Sequence, residues 1–496
     1  MRKTRDIVIL TIGKMLLILT SVFSIRIFTT LISPYEVGRL NILSVIYGWF
    51  GLIFIAPVGN YVTRKLLEWN KEGMIKKYVT SILGYYFLVS VFATFLIMIL
   101  RVFFNVGVTV SWVIFLTIGS VLFSNGNTSF IGWINIYGKR LQFVLFSILT
   151  VWLGLLFSSF FALKINPSAE YWLFGNLIAQ GLILVPAVFY LFKASTKTYI
   201  VKDKLYTSGS IKNVLKFSWP FAISSFLYWL QSQGYLFVFK KITSFEMVGI
   251  FTVGIGMGNK LMVPFEDLFN QYYRPLFYKE ISNSTETERA EAWNRYAYAF
   301  FPAVIIMAIY IFMNGPLIAK VFTGEKFHKA GYIILWGAVI GGMQMVSSVI
   351  TLVSHAQFET KPLITPGVTL AFSSLLFIFL LVPKNPFLGG GIALSLGWLL
   401  YIVHLYSNMK RQLPIRIPWL RMGYAVILSL PMFCLTPLLY RYGNTFSMIK
   451  SLLILFISGI YWFVIQFILA RKWIFYSLKI SFIDSLENKI KFLFIK

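Results

Sequence analysis

Charged residues are scarce in this sequence, and their scarcity excludes a soluble globular protein. Of 496 residues only 12% are charged, whereas 58% are hydrophobic and 18% are aromatic. Soluble domains carry about 25% charged residues, and so apolar a chain places most of its length in a bilayer. The composition predicts an all-α polytopic membrane protein.

Cysteine and histidine are almost absent. Cys434 is the only cysteine, so the chain can form no internal disulfide. Three scattered histidines, His328, His355 and His404, do not have the spacing of a metal site. No G-x-x-x-x-G-K-[S/T] phosphate loop occurs, which argues against ATP as a direct energy source. We therefore expect no metal and no cofactor.

Acidic residues are also few, with 17 Asp and Glu against 45 Lys and Arg and a formal charge of +28. In a soluble domain this balance would suggest nucleic-acid binding. Here the cations lie mostly between apolar segments, as the positive-inside rule predicts for membrane proteins. We interpret them as topology signals and expect a lipid bilayer, not a nucleic acid, as partner.

Apolar runs of about 20 residues mark the membrane spans. The run after the initial MRKTRD imitates a signal peptide, but no small-residue cleavage site follows, so we interpret it as the first helix. About fourteen spans are predicted, at residues 7–31, 37–57, 78–100, 111–136, 143–163, 171–192, 217–238, 248–277, 296–313, 331–354, 363–382, 387–406, 423–439 and 451–470.

Lys and Arg alternate in density from one predicted loop to the next. If both termini lie on one side, that side carries about 30 basic residues and the other about 10. Both termini are therefore predicted to be cytoplasmic. The richest inner segments, 61–77 and 193–216, are interpreted as orientation signals rather than as partner-binding patches.

Two short patterns occur twice in the same order. ISPYEVG (32–38) follows span one and ITSFEMVG (242–249) follows span seven, while KINP (164–167) precedes span six and KNP (384–386) precedes span twelve. They suggest two parallel six-helix repeats around a central cavity, plus two C-terminal helices. The predicted domains are a first lobe, a basic cytoplasmic linker, a second lobe, and a last segment with the two extra helices and a basic tail: 1–192, 193–216, 217–407 and 408–496.

A polar stripe follows the eighth predicted span, 248–277. At about 100° per residue, one helical face carries the side chains of Lys260, Asp267, Gln271 and Arg274. Ionisable groups inside a membrane usually face a bundle interior or a watery cavity. The stripe therefore predicts a path through the membrane.

Several stretches resemble a known superfamily in order along nearly the whole chain. They are RIFTTLISPYEVG (26–38), SWPFA (218–222), FEMVG (245–249), QYYRPLFY (271–278) and GGGIA (389–393). The chain resembles polysaccharide-biosynthesis transporters of the multidrug/oligosaccharidyl-lipid/polysaccharide (MOP) flippase superfamily, closest to the Wzx-type O-antigen flippases. The resemblance implies a transporter of the bacterial inner membrane that moves undecaprenyl-pyrophosphate-linked oligosaccharide by alternating access. Polysaccharide polymerase and chain-length machinery are further candidate partners.

A pyrophosphate headgroup needs positive charge, which Lys provides as a mobile point charge and Arg as a fork. The candidate headgroup contacts are Lys260, Arg274, Lys14 and Arg26. The alternative is that Lys260 forms a structural ion pair with Asp267, and Arg274 with Asp267 or Glu266. Otherwise these two carboxylates are candidates for ion coupling or gating. Pro264 is expected to interrupt the helix between Lys260 and Arg274.

Amides and aromatic rings are candidates for binding the glycan. Five residues have suitable chemistry within predicted spans: Asn125, Trp229, Gln231, Gln233 and Gln271. Polar contact between helices is the alternative for each of them.

Two other function classes compete with the flippase. An ion-coupled multidrug exporter of the same superfamily would need intramembrane carboxylates for cationic drugs, whereas span one offers Lys14 and Arg26. A membrane glycosyl transferase or polymerase would need catalytic carboxylates or a large outer loop, and the longest outer loop, 314–330, is short. We therefore predict a transporter and not an enzyme.

Overall fold

The computed structural model describes residues 2–100, 108–194, 208–281, 284–357, 359 and 361–468, and the secondary structure in these ranges is helical. The first ten α-helices are α1 (Arg2–Leu31), α2 (Pro34–Phe50), α3 (Ala56–Lys71), α4 (Ile75–Leu100), α5 (Val110–Ile118), α6 (Asn125–Ile136), α7 (Arg140–Lys164), α8 (Ala169–Ala194), α9 (Ser208–Trp229) and α10 (Tyr235–Ile242). Most of the predicted linker, 193–216, therefore lies outside the described residues.

The helices continue to residue 468. They are α11 (Phe245–Ile281), α12 (Glu286–Met313), α13 (Gly315–Phe322), α14 (Gly331–Ile350), α15 (Leu352–Gln357), α16 (Ile364–Leu381), α17 (Pro386–Gln412), α18 (Trp419–Tyr442) and α19 (Met448–Ile468). Short 3₁₀ turns occupy Glu325–Ala330, Lys361–Leu363 and Gly443–Thr445. The predicted basic tail after residue 468 lies outside the described residues.

Thirteen helical segments in the described ranges are long and apolar enough to cross a membrane. Each corresponds to one of the fourteen predicted spans. The remaining prediction, 217–238, is also helical and lies within α9, α10 and the turn between them, but it does not meet the same apolar criterion. The prediction of an all-α polytopic membrane protein is confirmed.

Three spans contain a wider, π-helical turn near the middle. These turns are Gly51–Ile55 between α2 and α3, Gly119–Ser124 between α5 and α6, and Leu230–Gly234 between α9 and α10. A π turn adds one residue to the helix, shifts the facing of all later side chains and is frequent at functional sites. Three of the five predicted glycan contacts lie within or directly after such a turn: Asn125, Gln231 and Gln233.

The chain forms two compact units. The first comprises 1–252, 322–327 and 378–386, and the second comprises 253–321, 328–377 and 387–496. The aromatic side chains that are almost fully buried include Tyr86 and Trp133 in the first unit and Trp293 and Phe300 in the second. This division follows compactness, so the predicted lobes, which follow sequence repetition, stay a prediction.

The helix α11 runs unbroken through Pro264, which corrects the expected interruption. Proline removes one backbone donor and crowds the preceding turn. Inside a membrane protein, neighbouring helices and side chains can compensate for that loss. Lys260 and Arg274 therefore stand on one continuous helix.

The two C-terminal helices pack within the second unit. Ala425 of α18 and Ile465 of α19 form a buried apolar cluster with Ile306 of α12. Tyr461 donates a 2.9 Å hydrogen bond to the carbonyl oxygen of Leu428, and Gln466 donates a 2.8 Å bond to that of Ala303. These contacts fix α18 and α19 to α12.

Candidate functional site

Lys260 stands on an open face of α11, inside the candidate span Phe245–Asp267. Its side chain is exposed, as is that of Val263 three residues later. One turn earlier, a Cβ built at Gly256 would meet no atom within 4 Å. An ammonium facing hydrocarbon is unfavourable, so this open face suits water or an anionic ligand better than lipid.

Neither cation of the stripe uses the carboxylates of α11. In the part of the chain that the structure describes, no ion pair joins Lys260 or Arg274 to Glu266 or Asp267. Arg274 instead lies close to the Tyr296 hydroxyl of α12, while its Nε is buried without a partner. The alternative of structural ion pairs within α11 is therefore not observed.

Glu266 is held by neutral donors. The Ser348 hydroxyl of α14 donates to Oε1 of Glu266 at 2.7 Å, and the Asn270 side-chain amide reaches the same oxygen at 3.4 Å. Tyr296 donates in turn to Oδ1 of Asn270 at 2.9 Å. A half-buried carboxylate that hydroxyl and amide donors hold in place can attract a small cation.

Two predicted glycan contacts make hydrogen bonds within the protein. The indole Nε1 of Trp229 donates to the carbonyl oxygen of Val45 at 3.3 Å. The Asn125 side-chain amide donates to the carbonyl oxygen of Ser120 at 2.9 Å, across the π turn that precedes it. Both side chains stay partly exposed. Each thus contributes to helix packing and keeps some surface for a ligand.

The other predicted glycan contacts are less defined. The Gln233 side chain is partly exposed just before α10. The side chains of Gln231 and Gln271 lie outside the described part of the structure, although both residues are helical.

The two cations of α1 have different surroundings. Lys14 is exposed, whereas Arg26 is half-buried and donates to the carbonyl oxygen of Thr323 at 3.3 Å. Thr29 accepts a 2.8 Å bond from the Gly324 backbone at the same place. Arg26 therefore helps to anchor the end of α1 against residues 322–327.

The two copies of the repeated pattern pack against each other. A Cβ at Gly38 would overlap the carbonyl oxygen of Phe245, and a Cβ at Gly249 would overlap that of Pro34. Each of these carbonyls belongs to the residue four positions before the other glycine, so the contact is reciprocal. Only glycine allows α2 and α11 to approach this closely.

Further contacts continue this crossing of α2 and α11. The rings of Tyr35 and Phe245 meet edge to face at 5.5 Å. About one helical turn after the two glycines, the Asn41 side-chain amide donates to the Thr252 hydroxyl at 2.7 Å. The sequence repeat thus has a structural counterpart, which the pattern alone did not place.

A buried ionic cluster escaped the sequence analysis. Arg39 is 9% exposed and bonds to both oxygens of Glu36 and to Glu170 of α8. Glu36 also accepts a 2.8 Å bond from the Ala169 backbone at the first residue of α8. The i, i+3 spacing of Glu36 and Arg39 was visible. Glu170 lies 131 residues from Arg39, so no local signal connects them.

The predicted site residues divide between the two units. Those of the first unit are Lys14, Arg26, Asn125, Trp229, Gln231 and Gln233. Those of the second unit are Lys260, Glu266, Asp267, Gln271 and Arg274. Within the second unit the structure joins Glu266 and Arg274 through Tyr296 and Asn270, and it leaves Lys260 on its own open face.

Solved transporter structures resemble the chain closely in fold. The lipid II flippase MurJ in its inward closed conformation matches with a TM-score of 0.68 and 15% identity, over 94% of this chain and 100% of MurJ. An inward-facing multidrug resistance MATE family transporter of the MOP superfamily matches at 0.59 and 13%, over 82% and 98%. The chain shares their fold.

A third solved structure has the same fold, whereas comparison of sequences finds no relative. A MATE protein in complex with MaD3S matches with a TM-score of 0.51 and 15% identity, over 82% of this chain and 95% of that one. No protein-family model and no curated protein matches the sequence. At sequence identities of 13 to 15%, these structural matches show the fold alone. The substrate has to be argued from the residues of this chain.

Proposed function

We propose that this protein is a flippase that moves undecaprenyl-pyrophosphate-linked oligosaccharide from the cytoplasmic to the outer face of the bacterial inner membrane. The product would supply O-antigen, capsule or a related surface polysaccharide. Support comes from the fold, which is that of a lipid flippase over the whole length of MurJ. Polysaccharide polymerase and chain-length machinery are the proposed partners, and both termini are proposed to be cytoplasmic.

Lys260 is the observation that carries this proposal. Its ammonium lies within a membrane span, on an open helix face, with no carboxylate of α11 to neutralise it. A pyrophosphate that leaves water needs such a charge to replace its lost hydration. Arg274, which lies beside Tyr296, is a second proposed contact for the pyrophosphate. Lys14, Arg26 and the five glycan-binding candidates complete the proposed path.

Energy for the transport has two candidate sources. A doubly negative headgroup that moves outward along an inside-negative potential gains roughly 4 to 5 kcal/mol per 100 mV if its charge crosses uncompensated. Glu266, with Ser348 and Asn270 as donors, is the better placed group for coupling to a proton or cation. Asp267, which directly follows Glu266, is the alternative coupling group.

An ion-coupled multidrug exporter is the second candidate function. Glu266 favours it, because a carboxylate within a candidate span, with hydroxyl and amide groups as its hydrogen-bond donors, can attract an organic cation. The fold is shared with MATE transporters as well. Lys14 and Lys260 oppose it, since exposed ammonium groups repel cationic drugs.

The test is surface glycan in a strain that lacks its own flippase gene and carries this protein. Lys260→Ala should abolish export at normal membrane abundance, and Lys260→Arg should keep part of it, because charge remains but geometry changes. Lys164→Ala removes an exposed lysine from the end of α7 and serves as the matched control. Normal export by well-expressed Lys260→Ala would refute the site.

Neutral variants of Glu266 and Asp267 distinguish a role in ion coupling from a role in the stability of the protein. Glu266→Gln and Asp267→Asn should change transport at normal abundance if these groups couple or gate. A loss of protein instead would assign them a structural role. Resistance to cationic drugs without glycan export would favour the exporter.

A further inference from the structure

A polar groove opens where α12 approaches the start of α18. Its cavity of about 410 Å³ is lined by Glu291, Asn294, Arg295 and Tyr298, all on α12. The chain entering α18 closes one side, where the Arg416 backbone donates to Oδ1 of Asn294 at 2.7 Å. All of these residues belong to the second compact unit.

Arg421 stacks on the ring of Tyr298, one of the residues that line this groove. Its guanidinium carbon lies 3.7 Å from the centre of the Tyr298 ring, and its Nη1 donates to the Tyr298 carbonyl oxygen at 3.3 Å. This stacking leaves the other guanidinium donors without a partner in the described structure. A pre-positioned guanidinium loses less entropy when it binds an oxyanion.

The charges of the groove favour an anion. Arg295 is shared by Glu280, at 2.8 Å, and Glu291, at 3.8 Å. Arg416 and Arg421 form no ion pair among the described residues. The three arginines and two glutamates give a net charge of +1, with the excess on the α18 side.

Exposed aromatic and apolar side chains flank the groove at the start of α18, which places it at the membrane interface if Trp419–Tyr442 spans the bilayer. Trp419 and Leu420 begin the candidate span Trp419–Tyr442 and are 68% and 83% exposed, and Tyr424 one turn later is also exposed. Tryptophan and tyrosine concentrate at the membrane interface. An anion bound by Arg421 would thus carry its apolar part along these side chains into the bilayer.

We propose that this groove binds the phosphate of an anionic phospholipid from the adjacent leaflet. Arg421 and Arg416 contact the phosphate. The Tyr298 hydroxyl and the Asn294 amide, whose nitrogen has no other partner in the described structure, bind the rest of the headgroup. The acyl chains follow Leu420 and Tyr424. This lipid site is separate from Lys260 and does not depend on the proposed transport function.

Native mass spectrometry of the purified full-length protein tests the proposal, with phosphatidylglycerol as probe and phosphatidylcholine as reference. Phosphatidylglycerol adducts should dominate. Arg421→Gln should lower the affinity for phosphatidylglycerol about fivefold, because each basic residue near a membrane surface contributes about that factor. The double variant with Arg416→Gln should lower the affinity about fivefold further. Arg421→Lys should retain part of the binding.

Two further variants guard against misfolding. Arg441→Gln is the matched control, since Arg441 also stacks on a tyrosine, Tyr442 at 5.3 Å, at the opposite end of α18. Glu291→Gln should strengthen binding, because it removes a competing carboxylate, and a damaged fold would not bind better. Equal adducts for both lipids, or equal losses with Arg421→Gln and Arg441→Gln, would overturn the proposal. Displacement of the lipid by equimolar inorganic phosphate would instead assign the groove to a soluble anion.

Discussion

Alanine at Gly38 is expected to push α2 and α11 apart. Its Cβ would overlap the carbonyl oxygen of Phe245, which is backbone and cannot rotate away like a side chain. The two helices must therefore separate by roughly an ångström or more to regain normal contact.

The size of the effect follows from the clash. Overpacking of this kind costs about 1 to 3 kcal/mol, which shifts a two-state equilibrium roughly 5- to 150-fold. The cost applies only while the helices are in contact, so Gly38→Ala should favour conformations in which α2 and α11 lie farther apart. Gly249→Ala should act in the same direction, because its Cβ would overlap the Pro34 carbonyl oxygen.

Disulfide crosslinking measures this equilibrium. Cysteines at Tyr35 and Phe245, whose rings lie 5.5 Å apart, are introduced after Cys434→Ser. Gly38→Ala should lower the crosslinking rate at least about fivefold. Gly48→Ala is the matched control on the same helix, since its Cβ would meet no atom within 4 Å. Equal rates with Gly38→Ala and Gly48→Ala in well-folded protein would refute the reasoning.

Two other predictions concern topology and stability. Fusions of an export-dependent reporter should be silent at Lys204 and active at Lys326, because the basic loops stay inside; the opposite pattern would invert the topology. Glu170→Gln should lower the free energy of unfolding by about 1 to 3 kcal/mol, because Arg39 loses one of its two buried carboxylates and keeps Glu36. Glu68→Gln breaks the exposed pair with Lys65 and should leave the free energy of unfolding nearly unchanged in the same thermal assay, because solvent screens this pair. Similar losses for both glutamates would contradict the role of burial.

The membrane class and the positions of the spans could be read from the sequence. A span must bury about 20 residues in hydrocarbon, so its apolar length is written locally in the chain. That is why every helix long and apolar enough to cross a membrane in the described ranges was predicted. The expected interruption at Pro264 was wrong, because the helical environment of a bundle tolerates a proline that an isolated helix would not.

The partners of the polar side chains were decided by tertiary structure alone. The sequence analysis considered Glu266 as a possible ion-pair partner of Arg274, yet Glu266 accepts a hydrogen bond from Ser348, 82 residues away. Neighbouring residues of a helix point about 100° apart, so which one meets another helix depends on how the helices pack. Helix packing likewise decided that Arg39 meets Glu170. It also decided that Gly38 and Gly249 lie in contact, although the sequence showed only that their patterns repeat. The sequence by itself determined which segments enter the membrane and where their charges lie, and the packing of helices distant in sequence decided which of those charges meet.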